Sequence, residues 1–256
     1  MIRAAPHISP AHCTAGRDFI GHYVLRLAHQ TLIVAIDGPS GSGKSTTARA
    51  VAGRLGYYFM STGAMYRAVA LAFLRQDSKP TDAEAAIVMP SLDLEVRCED
   101  GDFRLLLAKE DVTDVLRTPG VALMASNVSR IASVRRALAT KQRHVGRLYR
   151  DDPGIVLEGR DIGTVVFPNA DVKIYMHADP EVRAGRRHAE YLKRGRNIPL
   201  ETVLQEILAR DRQDIERTLS PLRSAEDAII LDTTDLSLGR QVQYIVDCVG
   251  NAAHDQ

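Results

Sequence analysis

Eight consecutive residues, Gly38-Pro39-Ser40-Gly41-Ser42-Gly43-Lys44-Ser45, have the types and spacing to hold a chain of phosphates. They match the pattern G-x-x-x-x-G-K-[ST] in full. Glycines there let backbone N–H groups turn inward around phosphate oxygens, and a helix starting at the loop's end adds partial positive charge. Lys44 is then placed to reach the β- and γ-phosphates, and the Ser45 hydroxyl to hold Mg²⁺, with Thr46 completing the cradle. The pattern has meaning only between a strand and a helix. Leu32 to Ile36 reads as a buried strand before it, and Ala48, Val51, Ala52 and Leu55 as the inner face of a helix after it, closed by Gly56. The set predicts binding of a nucleoside triphosphate.

A second group of residues brings positive charge to the ends of later elements. Thr62, Tyr66 and Arg67 fall together at the start of a helix that follows a short strand over Tyr57 to Met60. Gly159-Arg160-Asp161-Ile162-Gly163 follows the apolar run Ile155 to Glu158. Asp179-Pro180 opens a helix bearing Arg183, Arg186, Arg187, Lys193 and Arg194. Arg210, Asp214 and Arg217 are spaced i, i+4, i+7 on a helix expected from Pro199 to about Leu219, which puts them on one face. There Asp214 can accept a sugar hydroxyl while the arginines keep it charged. Such a set suits an enzyme that neutralises two phosphate-bearing substrates and the charge moving between them. A GTPase would need an N-K-x-D element, and none occurs; Asp151-Asp152-Pro153-Gly154 fits D-x-x-G but precedes a strand rather than following one.

The elements that must position these residues alternate along the chain. Further strands are expected at Val172 to His177 and Ala228 to Leu231, and a closing amphipathic helix over Ser237 to Val249. Thr81-Asp82-Ala83-Glu84 is a capping box for a short helix ending near Pro90. Thr118-Pro119 starts a helix to about Ile131, and Ser133 caps another to about Tyr149. Leu92 to Cys98 and Phe103 to Ala108 flank Asp100-Gly101, a hairpin signal, so residues 91–117 read as a small antiparallel insertion. Five core strands alternating with helices predict a parallel α/β sheet with its ligand at the strands' carboxyl ends.

The length of 256 residues suits one domain with an insertion. A net charge of +1 supplies no global field toward nucleic acid or a membrane. Cys13, Cys98 and Cys248 match no zinc or disulfide spacing, which fits a reducing cytoplasm, and no apolar run is long enough to span a bilayer. Residues 1–31, with His7, His12, His22 and His29 and a possible short helix over Phe19 to Leu27, lack a signal-peptide core and read as a disordered extension.

Several separated motifs carry a family resemblance: IDGPSGSGKST, STGAMYR, the hairpin followed by EDVT and LRT, ASNVSRIASVRRAL, EGRDIGTVVFPNADVKIY and ARDRQDIERTLSPL. Over Leu32 to about Gly250 the chain resembles the bacterial cytidylate kinases, P-loop nucleoside monophosphate kinases that phosphorylate CMP and dCMP from ATP. The resemblance implies a three-layer P-loop fold with a five-stranded parallel sheet, the 91–117 insertion as a nucleotide-binding region and an arginine-rich helical lid over 183–199. It implies a kinase domain over 32–250, with the first two motif strands in 32–62, and a carboxyl-terminal tail at 251–256. It puts Arg67 on the CMP phosphate beside Thr62 and Tyr66; Ser126, Arg135 and Asp161 at the cytosine ring, with Arg160 next to them; and Arg210, Asp214 and Arg217 around the pentose. Lys44, Arg67, Arg160, Arg186 and Arg187 become the residues acting on the transferred group, with Gly38 through Thr46 cradling ATP and Ser45 on Mg²⁺. A cytoplasmic monomer acting on small molecules, with no nucleic-acid or membrane partner, is the implied setting. At one position the chain departs from the family: Ser61 stands where an Asp is usual.

Overall fold

The computed structural model describes residues 32–99, 101–150 and 153–254. The 1–31 extension, its four histidines, the short helix expected there and Cys13 lie outside the described residues, as do Asp100, Asp151, Asp152 and the last two residues.

β1 (Ile33–Asp37) is buried at every position and forms the centre of the sheet. It pairs in parallel with β6 (Ile155–Gly159) on one side and β7 (Val172–His177) on the other. β2 (Tyr58–Ser61) lies outside β6, and β8 (Ile229–Asp232) outside β7. The five-stranded parallel sheet expected from the sequence is therefore present, in the order β2-β6-β1-β7-β8. Both faces are covered, so its central strands are continuous apolar runs rather than alternating ones.

The antiparallel hairpin expected over residues 91–117 is present, and it also joins the edge of the central sheet. β3 (Leu94–Glu99) and β4 (Asp102–Leu107) pair antiparallel, with Gly101 at φ 82° in the turn, and β5 (Glu110–Asp111) pairs with β4. β4 then joins β2 in parallel, Phe59 opposite Asp102, so one sheet of eight strands runs β3-β4-β2-β6-β1-β7-β8 with β5 on β4. The Phe59 N–H donates to the Gly101 carbonyl at 3.1 Å. Tyr58, Phe103 and Tyr149 close the seam with edge-on ring contacts, Tyr149 lying 4.7 Å from Tyr58 and 5.0 Å from Phe103.

Eight helices are seen among the described residues: α1 (Lys44–Leu55), α2 (Thr62–Arg75), α3 (Asp82–Val88), α4 (Pro119–Val128), α5 (Ala132–Leu148), α6 (Pro180–Lys193), α7 (Leu200–Glu216) and α8 (Leu238–His254). Thr81 caps α3 as expected, its hydroxyl accepting from the Glu84 N–H. Ser133 does not cap α5, which begins one residue earlier with Ile131 at the capping position. α8 runs past the expected stop at Val249, so residues 251–254 continue the helix instead of starting a tail. Ile33 and Ala35 of β1 face a core built with α2, α4 and α5, while Val34 and Ile36 face one built with α1 and α8. Period-two alternation thus splits the strand between the outer layers of a three-layer fold. α6 and α7 pack on each other through a separate small cluster, Ala184, Val203 and Ile207. No helix among the described residues is long and apolar enough to cross a membrane.

Sequence periodicity gives no hint of the π-helical turn Ile162–Val166, which follows β6 directly. Its start is held by Asp37 at the end of β1, whose buried carboxylate accepts from the Ile162 N–H at 2.9 Å and the Gly163 N–H at 2.7 Å. One aspartate therefore ties the strand leading into the glycine-rich loop to the turn that carries Arg160 and Asp161. Burial pushes the Asp37 carboxyl up to about 7, against the downward pull of the two backbone N–H groups. A carboxyl raised on folding holds its proton more tightly folded than unfolded. Its contribution to stability is full below the unfolded value of about 3.9 and is lost as pH rises through about 7. Asp37→Asn has no such proton, so the stability gap between parent and variant should narrow from pH 5 to pH 8 in urea unfolding. A gap that widens with pH would contradict this account.

Candidate active site

The carboxyl ends of β1, β2 and β6 open into a cleft of about 1370 Å³. The glycine-rich loop forms one wall. Gly38, Gly41 and Gly43 have φ of 152°, 78° and 88°, conformations that side chains resist. A Cβ on Gly38 would also sit 2.0 Å from the Met176 carbonyl of β7, so no other residue fits there without moving the strand. Ser40, Gly41, Gly43, Lys44, Ser45 and Thr46 line the cleft. Gly38, Pro39 and Ser42 are buried behind it and brace the loop instead, the Ser42 hydroxyl donating to the Pro39 carbonyl at 3.1 Å. Lys44 is buried, its ammonium donating to the same carbonyl at 2.7 Å. Burial first, and the Arg160 charge second, hold that ammonium well below the usual lysine range.

Arg183, expected among the lid residues, is buried and braces the loop from outside. It donates to the carbonyls of Ser40 at 3.1 Å and Ala178 at 2.8 Å and pairs with Asp211. Its neighbours do face the cleft. Arg187 donates to the Ser40 hydroxyl at 3.0 Å, and Arg186 to the Thr233 carbonyl at 2.5 Å. Thr47 donates to Gln241 of α8 at 2.7 Å, so the first turn of α1 is tied to its neighbour in the same outer layer.

The opposite wall gathers Thr62, Tyr66, Arg67, Ser126, Arg135, Arg160, Asp161, Arg210, Asp214 and Arg217, so every residue expected there lines the same cleft. Glu158, which the sequence reading passed over as the end of a strand, lies among the cations and is 4% exposed. Ser61 is opposite Glu158 in the β2–β6 register and donates its hydroxyl to the Glu158 carboxylate; the Thr62 hydroxyl donates to the Glu158 carbonyl at 2.9 Å. Ser61 thereby has a physical account: an Asp in its place would set carboxylate against carboxylate. The signal for Glu158 was available, since an acidic residue inside an apolar strand needs a partner.

Arg210, Asp214 and Arg217 do not share a helix face. α7 ends at Glu216, and Arg217 is already extended, at φ −63° and ψ 137°. The chain turns back there, with Ser220 at φ 49° and the Leu222 N–H on the Asp214 carbonyl at 2.8 Å. Arg217 reaches Asp214 at 3.3 Å from outside the helix, and Arg160 holds the other carboxylate oxygen at 3.0 Å. Burial opposes the Asp214 charge, but Arg160, Arg210 and Arg217 together hold its carboxyl below the usual range. Burial, then Arg160, pushes Arg210 down to about 10. Arg135 and Asp161 form a buried pair at 2.6 Å, with the Arg135 guanidinium 5.4 Å over the Tyr66 ring.

The site holds unspent donors. Arg135 Nε, Arg210 Nε and Arg217 Nη2 are buried with no hydrogen-bond partner among the described residues. A buried unpaired donor costs about 1–3 kcal/mol, so this wall carries more donors than the described residues supply acceptors for. Chemically, the cleft can hold a chain of phosphates at the loop and a second anion beside Arg67, with the Arg135–Asp161 pair offering a donor and an acceptor to a flat polar ring.

The chain matches the cytidylate kinase family model over residues 34–251. It is 48% identical to a cytidylate kinase of Salinibacter ruber over 85% of this chain and 96% of that one. It is 45% identical to a cytidylate kinase of Geobacter sulfurreducens over 81% of this chain and 88% of that one. For a cytidylate kinase of Caldicellulosiruptor bescii the figures are 41%, 84% and 93%. A match of this extent, on a sheet and loop that put the motif residues around one cleft, means that the chain belongs to the cytidylate kinase family.

Proposed function

We propose that this protein transfers the γ-phosphoryl group of ATP to CMP and dCMP, giving ADP with CDP or dCDP. The observation that carries the reading is the row of cations Lys44, Arg67, Arg160 and Arg210, the lysine buried and the arginines half-buried, running from the glycine-rich loop to Asp214 and ending in guanidinium N–H groups without acceptors among the described residues. Two phosphate-bearing substrates supply the missing negative charge. The relatives named cytidylate kinase select the acceptor.

The residues divide the work by position. Loop amides from Gly38 to Thr46 and the Lys44 ammonium hold the triphosphate; Arg67, with Thr62 and Tyr66 beside it, holds the CMP phosphate. The cytosine ring lies against Arg135, Asp161 and Ser126, and the pentose against Asp214, Arg210 and Arg217. Arg160 lies between pentose and phosphate. Ser45, exposed to the cleft at the start of α1, is the residue to hold Mg²⁺; its hard hydroxyl oxygen fits that ion. Mg²⁺, when bound, would supply charge neutralisation to the phosphates. Catalysis is positioning plus stabilisation of the charge on the moving group, with no covalent step through the protein. Residues 32–250 form the kinase domain, 91–117 a monophosphate-binding edge and 183–199 the lid. For Arg186 and Arg187 to reach the transferred group they exchange their bonds to Thr233 and Ser40 for phosphate oxygens, while Arg183 keeps the start of α6 fixed on the loop.

A panel of CMP, dCMP, UMP and AMP with Mg-ATP, read by ADP release, tests the assignment. CMP and dCMP should be used in strong preference; equal use of AMP would overturn it. Lys44→Met should lower turnover by about 10²–10³-fold with little change in melting temperature. Turnover near the parent rate would remove the loop from the mechanism. Asp214→Ala strands Arg160 and Arg217 in a buried site, so it should cost about 3 kcal/mol of stability and raise KM for CMP far more than for ATP. An equal rise for both substrates would point to a purely structural role.

A further inference from the structure

Gln213 belongs to no motif element assigned a role above, yet it touches one of the base-facing residues. Its side chain crosses from α7 to the end of α4, with Nε2 2.9 Å from the Ser126 carbonyl oxygen and 3.0 Å from Ser126 Oγ. Both residues line the cleft with Arg135 and Asp161. The carbonyl oxygen only accepts, so it fixes which end of the Gln213 amide faces Ser126: the NH₂ end. Ser126 Oγ therefore meets a donor and receives a hydrogen bond from it. The Ser126 hydroxyl proton has no acceptor on that side, and it is left to be donated into the cleft. The Ser126 carbonyl also accepts from the Ser129 hydroxyl at 2.7 Å, and the Ser129 carbonyl from Arg135 at 3.0 Å, which ties the helix end to the Arg135–Asp161 pair. Gln213 is itself held in place, because the next residue is Asp214, clamped by Arg160 and Arg217.

We infer that Gln213 is a specificity-determining positioning residue, which orients the Ser126 hydroxyl as a donor and so favours cytosine over uracil. The inference rests on the cytidylate reading proposed above. Cytosine N3 accepts a hydrogen bond, and uracil N3–H donates one. A serine hydroxyl left to itself rotates to suit either ring; one with a lone pair already taken by Gln213 accepts less readily from the ligand, and its proton is biased toward that ligand. Asp161 then accepts from the cytosine amino group, where uracil presents an oxygen, so the two contacts discriminate in the same sense.

The test is the ratio of kcat/KM for CMP to that for UMP in the full chain with Mg-ATP. Gln213→Leu removes the donor and should narrow the ratio about tenfold, the worth of one net hydrogen bond, with KM for ATP changed less than twofold. Gln213→Glu offers Ser126 only acceptors, drawing its proton away from the ligand, and should narrow the ratio at least as far by raising UMP use. In a Ser126→Ala background Gln213→Leu should leave the ratio unchanged, because the hydroxyl it orients is gone. An unchanged ratio in Gln213→Leu, or equal loss on CMP, UMP and ATP, overturns the inference and leaves the cytidylate reading standing. A parent protein that phosphorylates neither monophosphate overturns both.

Discussion

Buried positive charge is the constraint on which this structure depends. Lys44, Arg67, Arg135, Arg160, Arg210 and Arg217 converge on one cleft, and the carboxylates that reach them are few: Glu158, Asp161 and Asp214. Withdrawing so much charge from water is unfavourable unless pairing is complete, and here it is incomplete by design of the surroundings. Burial first, and neighbouring cations after it, push the pKa of Lys44, Arg67 and Arg210 down, and Arg135, Arg210 and Arg217 each keep a buried N–H without an acceptor among the described residues. In the reading proposed above, substrate phosphates complete the balance, which would make binding and charge compensation one event.

A site held in that condition needs rigid supports, since like charges would otherwise spread apart. The supports come from behind the cleft. Asp37 joins the end of β1 to the π-helical turn, Arg183 joins α6 to the glycine-rich loop, and Thr47 joins α1 to Gln241 of α8. Each links elements far apart in sequence, and each uses a buried or half-buried polar group whose partners are backbone atoms or a single side chain. Lys44, Arg67, Arg135 and Arg160 are therefore placed by strand ends and early helical turns, whereas Arg210 and Arg217 come from the far end of α7 and the turn after it.

The side of the cleft proposed to meet the acceptor is built differently. Arg135 and Asp161 come from α5 and the β6 turn, Ser126 from the end of α4, and Gln213 with Asp214 from α7. They are connected by a chain of hydrogen bonds from Gln213 through Ser126 and Ser129 to Arg135 and Asp161. A connected polar network transmits orientation as well as energy. That is why the direction of one hydroxyl proton on Ser126 can be decided by a residue on another helix.

Much of this was legible from the chain alone, for reasons that can be stated. The loop from Gly38 to Ser45 requires local backbone geometry and a contiguous set of residue types, and the apolar runs at Ile33–Asp37, Ile155–Gly159 and Val172–His177 require burial on two faces; both are properties of short segments. Arg160, directly after Ile155–Gly159, and Arg67, early in the helix after β2, inherit their positions from the sheet, which is why both reach the cleft. The sequence could not show that Arg217 leaves the helix before reaching Asp214, because the turn depends on a long-range fit around Ser220 and Leu222. It could not show that the hairpin joins the sheet through Phe59, or that Arg183 braces a loop while Arg186 and Arg187 face the cleft. The roles of Asp37, Glu158 and Gln213 depend on what lies opposite them across tens of residues of chain, and a partner of that kind is decided only when the tertiary structure brings the two surfaces together.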